Sequence, residues 1–364
     1  LYMVLLGIVL RWLRTGSRDQ QRPGATAARW LAIGLIAAII VSHALTAVMT
    51  YVALAAMALV GVRGARRLVV IAVAMTATWD LTFARPFTGR NLAATLATVH
   101  PPWETTTANL SSRPALDAQQ LLVANVSRLL TVAVIALAVA GAVRLWRTGR
   151  LDRAVAVLAC APVLLFAAGN YDGEMLFRID LFAVPFLSLL AAHALLGVPG
   201  RARVPVTTAV VLVLLALFLY PYYGDERTNY ISPQEVTAAR WLDQHVAPGS
   251  LVVDVTSCDE LDSENYEHFV CLPIAVQPPS SSSKILADPA GVLSGWLSGP
   301  AYRGGYVFLS RNQRITLREV GGLPRGSFAK LERRLLASPL FRVAYRNRDA
   351  TVFELAGAGP GGTR

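Results

Sequence analysis

The sequence has little charge for its length. Only 16% of its 364 residues are charged, whereas roughly a quarter are charged in typical soluble domains. Hydrophobic residues make up 54%, and the mean hydropathy is +0.47. The long apolar runs are bunched before Gly224, and the rest of the sequence has the composition of a water-soluble domain. The scarcity of charge therefore argues against an ordinary soluble protein and indicates a membrane part followed by a soluble part.

The sequence also lacks the short motifs of several enzyme classes. It contains no Walker loop, HExxH, GxSxG or CxxC pair, which argues against an ATP-driven pump, a zincin and an α/β-hydrolase. An acidic run, Asp259, Glu260, Asp262 and Glu264, has neither EF-hand spacing nor the glycine that such a loop needs. We expect a solvated loop there rather than a metal site. No cofactor is indicated, and a divalent metal is left open.

The net charge of +11 does not indicate a nucleic-acid partner, because the arginines lie in short links between apolar runs. Clusters of this kind mark cytoplasmic loops of membrane proteins. Examples are Arg63, Arg66 and Arg67, and Arg144, Arg147, Arg150 and Arg153. We therefore interpret the excess of arginine as an indication of which loops lie on the cytoplasmic side of the membrane.

We expect an α-helical polytopic membrane domain over residues 1–223, with about seven to eight spans. The apolar segments lie at 1–10, 30–41, 47–60, 68–81, 121–143, 154–168, 179–196 and 204–220. The first has half the roughly 20 residues that a bilayer requires, so we expect it to be a truncated span. Residues 30–60 form either two helices with an outer turn or one bent helix. With the arginines inside, an outer loop at about 82–120 and everything after residue 223 lie outside the cytoplasm.

A small extracytoplasmic α/β domain is predicted over 224–356, followed by a disordered tail at 357–364. Ser232 and Glu235 form a capping box with proline at the first helical position, and the helix ends before Pro248. Strands are predicted at 251–255, 305–309, 341–345 and 351–355, and a second amphipathic helix at 328–335. Helices that alternate with strands favour an α/β fold.

Two cysteines of the predicted outer domain, Cys258 and Cys271, flank a polar segment. In an oxidising compartment they form a disulfide or remain two thiols, and we favour the bridge. The third, Cys160, falls within a predicted span.

The stretch GNYDGEMLFRID, residues 169–180, places acids and an arginine between two apolar runs. Glu174 and Arg178 are four residues apart, so they share a helical face at the mouth of a span. Arg178 either grips a phosphate with its planar guanidinium or caps the helix and extends to lipid headgroups. Both interpretations stay open.

Further candidates lie at the predicted outer surface. His43 contacts either a lipid-linked phosphate or sugar hydroxyl, or only the backbone of its own turn. The outer loop supplies Asp80, Arg85 and Arg90 among aromatic residues, which suits an amphiphilic phosphate-bearing substrate or interfacial anchoring. Asp80 is the one candidate for a catalytic base.

Two of these motifs resemble a known family. VSHALT and GNYDGEMLFRIDLFAVPFLSLL are similar to the C-terminal half of large actinobacterial membrane proteins, the multi-spanning type-C glycosyltransferases and related polysaccharide-assembly proteins. Ser42, His43, Leu45 and Thr46 match the family's first motif, in which Ala44 replaces a glutamine. Tyr171, Gly173, Glu174, Phe177 and Arg178 match the second, in which Asp172 replaces a glycine.

The resemblance implies transfer of a sugar from a polyprenyl-phosphate donor to an envelope glycan acceptor, at the outer face of the cell membrane. It places the family's catalytic acid in an earlier outer loop. If this function is right, we expect the substrate to be bound by Arg178, Glu174, Tyr171, His43, Arg85 and Arg90. Two other hypotheses remain: a non-catalytic scaffold of wall assembly, and a transporter. The transporter is the weakest, because the apolar segments carry almost no charge at mid-span.

Overall fold

The chain divides into two compact units in the computed structural model. Unit 1 comprises Leu1–Ser112 and Arg128–Leu215, and unit 2 comprises Arg113–Ser127 and Ala216–Arg364. The structure describes residues 1–14, 24–85, 118–168, 175–224, 226–261 and 264–356. Most of the predicted outer loop and the whole predicted tail lie outside these residues.

A helix occupies each of the eight segments in which the sequence predicts a span. The helices are α1 Tyr2–Trp12, α2 Ala25–Ser42, α3 Ala44–Leu59, α4 Arg63–Leu81, α5 Ala118–Arg147, α6 Arg153–Cys160, α7 Met175–Leu195 and α8 Arg203–Gly224. A 3-10 helix, Ala161–Ala168, continues α6. Among the described residues, four helical segments are long and apolar enough to cross a membrane: α2, α5, α7 and Gly200–Asn229, which contains α8. The larger number of seven to eight spans stays a prediction.

Helices α1, α2, α3, α6 and α7 share one apolar core, because each contributes large side chains that are fully buried. Leu5, Ile36, Met49, Leu158 and Met175 are among them. Helix α8 is equally apolar but buries none of its residues. An apolar helix that is exposed all round is unstable in water, so its composition fits a lipid environment.

His43 separates α2 from α3 as a single extended residue, with φ of −161° and ψ of 114°. The hypothesis of one bent helix over residues 30–60 is therefore wrong, and the turn follows Ser42. Elsewhere, Gly141 lets α5 approach α7 closely. A Cβ atom on Gly141 would lie 1.8 Å from the carbonyl oxygen of Leu190.

Unit 2 contains a five-stranded sheet. Its strands are β1 Ser250–Asp254, β2 Phe269–Pro273, β3 Gly305–Ser310, β4 Phe341–Arg346 and β5 Ala350–Leu355. Their order is β2-β1-β3-β5-β4, in which β1 pairs in parallel with β2 and β3, and β5 pairs antiparallel with β3 and β4. Four of the strands were predicted, and β2 was not.

Helices accompany the sheet in unit 2, and most of them pack directly against a strand. They are α9 Glu226–Asn229, α10 Pro233–His245, α11 Pro279–Ala287, α12 Pro289–Leu297, α13 Arg311–Glu319 and α14 Ser327–Ala337. The capping box that the sequence predicts at the start of α10 is present, since Ser232 N donates to Glu235 Oε2 at 2.7 Å and Glu235 N donates to Ser232 Oγ at 3.2 Å.

A disulfide joins Cys258, just after β1, to Cys271 on β2. It closes the connection between two neighbouring parallel strands.

Candidate functional site

His43 acts locally as the cap of α3. Its Nδ1 atom accepts a hydrogen bond from the backbone N–H of Thr46 at 3.3 Å, and the ring is exposed. A neutral imidazole whose Nδ1 accepts carries its proton on Nε2. The exposed ring therefore presents an N–H donor at the end of α2, besides its role in the cap.

Asp80 lies in the last turn of α4 and is half-buried. One turn earlier, Thr76 forms a hydrogen bond with Tyr51 of α3, so this face of α4 is turned toward α3. Asp80 is four residues after Thr76 and shares that face. Arg85, which follows α4, is exposed.

An apolar groove of about 320 Å³ runs between the C-terminal ends of α2 and α4. Its walls include Ile40, Met75 and Trp79, and the ring of Phe83 stacks on Trp79 with centroids 5.2 Å apart. His43 directly follows the end of α2, and Asp80 lies in the last turn of α4. Helix ends thus bring an apolar groove, an N–H donor and a carboxylate to one end of unit 1.

Arg178 lies in the first turns of α7 and is half-buried. Helix α7 packs against α6 and the 3-10 helix after it, both of which also contact α3. Two residues on, Asp180 accepts a long hydrogen bond from Thr131 Oγ1 of α5, at 3.5 Å. Tyr171, Glu174 and Arg90 lie outside the described residues, so the predicted pair of Glu174 with Arg178 stays a prediction.

Unit 2 contains a polar cluster that sequence reasoning missed. Asp254 ends β1, and its Oδ2 accepts a 2.6 Å hydrogen bond from Gln313 Nε2 at the start of α13. Glu260 Oε1 accepts a 2.8 Å bond from Ser310 Oγ at the end of β3. The chain leaves β1 toward β2 on one side and returns to β3 on the other. Open α/β sheets bind ligands at such a crevice, outside the carboxyl ends of the strands.

Glu235 ties this cluster to α10. Its Oε1 atom accepts a 2.5 Å hydrogen bond from the backbone N–H of Asn312, while Oε2 belongs to the capping box of α10. Glu235 and Gln313 are fully buried, and Asp254 is 1% exposed. Two oxygens, Glu260 Oε2 and Gln313 Oε1, are buried without a hydrogen-bond partner among the described residues.

Burial sets the charge state of the two acids at the sheet edge. Desolvation raises the pKa of Glu260 to about 8, and the nearby charges of Asp254 and Glu235 act in the same direction. Desolvation also raises the pKa of Asp254 to about 6, although backbone N–H groups of Thr256, Cys258 and Ser257 oppose it. At neutral pH the cluster therefore holds a protonated carboxyl beside an ionised one.

The predicted solvated loop at 259–264 is wrong for Glu260, because its carboxyl folds inward onto Ser310. Among the described residues, no group of three or more His, Cys, Asp or Glu side chains is arranged to hold a metal ion. One sequence signal could have found the cluster. Asp254 and Ser310 each follow a run of three apolar residues at the end of a strand, and such ends meet at one edge of a parallel sheet.

No protein-family model matches the chain, and no curated protein is significantly similar to it in sequence. The resemblance to the type-C glycosyltransferases therefore stays a prediction from the sequence.

Proposed function

We propose that the chain is the C-terminal part of a type-C-like membrane glycosyltransferase. It transfers a sugar from a polyprenyl-phosphate donor to an envelope glycan acceptor at the outer face of the cell membrane. The observation that carries the proposal is the apolar groove between α2 and α4, which opens at the same helix ends as His43 and Asp80.

The groove suits the isoprenoid chain of the donor. Its walls are apolar, and Trp79 and Phe83 stand at the end where aromatic residues mark a membrane interface. The His43 Nε2–H group and Arg178 are donors to the phosphate, and a guanidinium binds a phosphate with two parallel hydrogen bonds. In this proposal the aromatic pair sets the depth of the lipid, and the donors hold its head.

In the transfer step, a carboxylate takes the proton of the acceptor hydroxyl. The hydroxyl oxygen bonds to the anomeric carbon, while the bond from that carbon to the phosphate oxygen breaks. Polyprenyl phosphate leaves with the bonding electron pair, and cationic donors stabilise its added charge. Asp80 is the carboxylate in this chain that can be tested for the role, whereas the resemblance assigns the base to an earlier loop.

The soluble domain then faces the envelope and binds the acceptor glycan. What supports this role is the position of the sheet-edge cluster at the carboxyl ends of β1 and β3, because open α/β sheets bind their ligands outside the carboxyl ends of the strands.

The proposal is tested by measuring sugar transfer in membranes that contain the protein with Arg178→Ala. We expect transfer to fall by about 100-fold or more, the scale of removing one charge-stabilising donor, with membrane insertion unchanged. The matched control is Arg201→Ala, which removes an exposed arginine just after α7. Equal transfer by the wild type and Arg178→Ala would remove Arg178 from the mechanism.

The variant Asp80→Asn tests whether the catalytic base is Asp80 or a residue of an earlier loop. Loss of turnover with unchanged donor binding supports Asp80, and unchanged turnover places the base in another segment.

A further inference from the structure

At the opposite end of α2 and α4 lies a second cavity, of about 380 Å³. Arginines from two helices line it, Arg29 from α2 and Arg63, Arg66 and Arg67 from α4. Its other walls are apolar and include Leu68 and Ile71. We refer to it as the arginine cavity.

The cavity is a built feature, because the end of α1 is locked onto the start of α4. Gly64 N donates to Leu13 O at 3.1 Å, and Arg63 N donates to Arg14 O at 3.3 Å. A Cβ atom on Gly64 would lie 2.2 Å from Leu13 O, so only glycine permits this approach. Leu13 itself lines the cavity.

A neighbouring arginine, Arg14, has its charge balanced by a carboxylate. Both terminal nitrogens of Arg14 bind the carboxylate of Asp152, at 2.7 and 2.9 Å, and Asp152 in turn caps α6. Among the described residues, by contrast, no carboxylate lies within ion-pair distance of Arg63, Arg66 or Arg67. The first turn of α4 contains no acid either. The helix N-terminus adds further partial positive charge.

We propose that the arginine cavity binds a phosphate-bearing lipid from the surrounding membrane. The guanidinium groups hold its phosphate, and its hydrocarbon chain lies along Leu68 and Ile71. Basic pockets between membrane helices bind anionic headgroups in this way. A small soluble anion would leave the apolar walls uncovered.

This site is separate from the groove of the proposed transferase. Helix α4 has 19 residues, so its ends are roughly 28 Å apart at 1.5 Å per residue, close to the hydrocarbon thickness of a bilayer. The groove opens at the C-terminal end of α4 and the arginine cavity at the N-terminal end. The inference therefore stands whether or not the protein transfers sugars.

The test is native mass spectrometry of the purified full chain, titrated in detergent with phosphatidylglycerol, polyprenyl phosphate or neutral phosphatidylcholine. The test variant is Arg66→Gln/Arg67→Gln, at two exposed positions. The control, Arg147→Gln/Arg150→Gln, removes the same charge from the end of α5 and the connection that follows it, at two arginines that do not line the cavity. Both variants are compared with the wild type by circular dichroism.

We expect the test variant to bind the anionic lipids on the order of 25-fold more weakly, because each arginine near an anionic headgroup contributes to binding and the variant lacks two of them. The control should bind as the wild type does, and phosphatidylcholine should bind poorly to every variant. Tighter binding of phosphatidylglycerol than of polyprenyl phosphate identifies the natural source as a phospholipid, and the reverse identifies the isoprenoid carrier.

If both variants lose the same lipid affinity, net charge alone explains the effect and the proposed site is wrong. Displacement of bound lipid by millimolar inorganic phosphate would overturn the assignment to a lipid. If the test variant misfolds, the comparison of anionic with neutral lipid on the wild-type chain decides, because equal retention contradicts the proposal.

Discussion

Gln313 joins the start of α13 to the end of β1 through one side-chain contact. Its Nε2 atom donates to Asp254 Oδ2 at 2.6 Å, and both side chains are almost completely buried. Without this contact, the Oδ2 atom of Asp254 would be buried at the sheet edge without the hydrogen bond from Gln313. The contact thereby fixes the crevice in which Glu260 and Ser310 meet.

Replacing Gln313 by leucine should destabilise unit 2 by about 1–3 kcal/mol, because Asp254 Oδ2 loses its buried donor. Hydrogen exchange of the β1 and β3 amides in the full chain measures the change. The control is Gln234→Leu on the exposed face of α10, for which we expect a change within about 0.5 kcal/mol. Equal exchange in the two variants would show that the contact contributes nothing.

The stability of unit 2 should fall as pH rises from about 4.5 to 8. Folded Glu260 keeps its proton up to a pKa of about 8, whereas its ordinary value is 4.5. The folded state therefore binds more protons in this window, and stability falls by at most roughly 1.4 kcal/mol per pH unit for one proton. Asp254 has a pKa of about 6 in the folded state, against an ordinary value of 3.8, so its loss of a proton also lowers the stability as the pH rises toward 6.

Glu260→Gln should flatten this dependence between pH 6 and 8, because the amide keeps an acceptor for Ser310 and has no proton to lose. Hydrogen exchange at matched pH values, corrected for the intrinsic rate, gives the two slopes. A slope as steep in the variant as in the wild type would assign the proton to another group.

Reduction of the disulfide should destabilise unit 2 by about 3 kcal/mol in the chain-entropy model, since Cys258 and Cys271 are 13 residues apart. Limited proteolysis with and without reductant measures this, with cleavage expected to begin between the two cysteines. The double variant Cys258→Ser/Cys271→Ser should show the reduced pattern in both conditions. Cys160→Ser should leave the wild-type response unchanged, because Cys160 is a free thiol.

The sequence predicts the helices of unit 1 well, because an apolar run needs only local composition to be recognised. The strand β2 escaped prediction, since its five residues follow a polar segment and include a proline. The sheet-edge cluster escaped for a different reason. Asp254 and Glu260 are close in the chain, but Glu235 and Gln313 are distant from them, and the parallel pairing of β1 with β3 brings the start of α13 to the end of β1.

The arginine cavity shows the same limit. Composition identifies Arg63, Arg66 and Arg67 as the link between two helices, which predicts topology and nothing more. Their convergence with Arg29 around one volume depends on how α2 packs against α4. It also depends on the close approach of Leu13 to Gly64, which the absence of a side chain at Gly64 permits.

The packing of α5 on α7 should be equally sensitive to one methyl group. Gly141→Ala places a Cβ atom 1.8 Å from Leu190 O unless the helices move apart, so we expect a loss of about 1–3 kcal/mol from overpacking. The thermal unfolding midpoint of the full chain in detergent gives the change.

Gly34→Ala in α2 is the matched control, because no atom lies within 4 Å of its added Cβ. We expect that variant to be unchanged or slightly more stable, since alanine favours a helix over glycine. An unchanged midpoint for Gly141→Ala would mean that α5 and α7 separate at no cost.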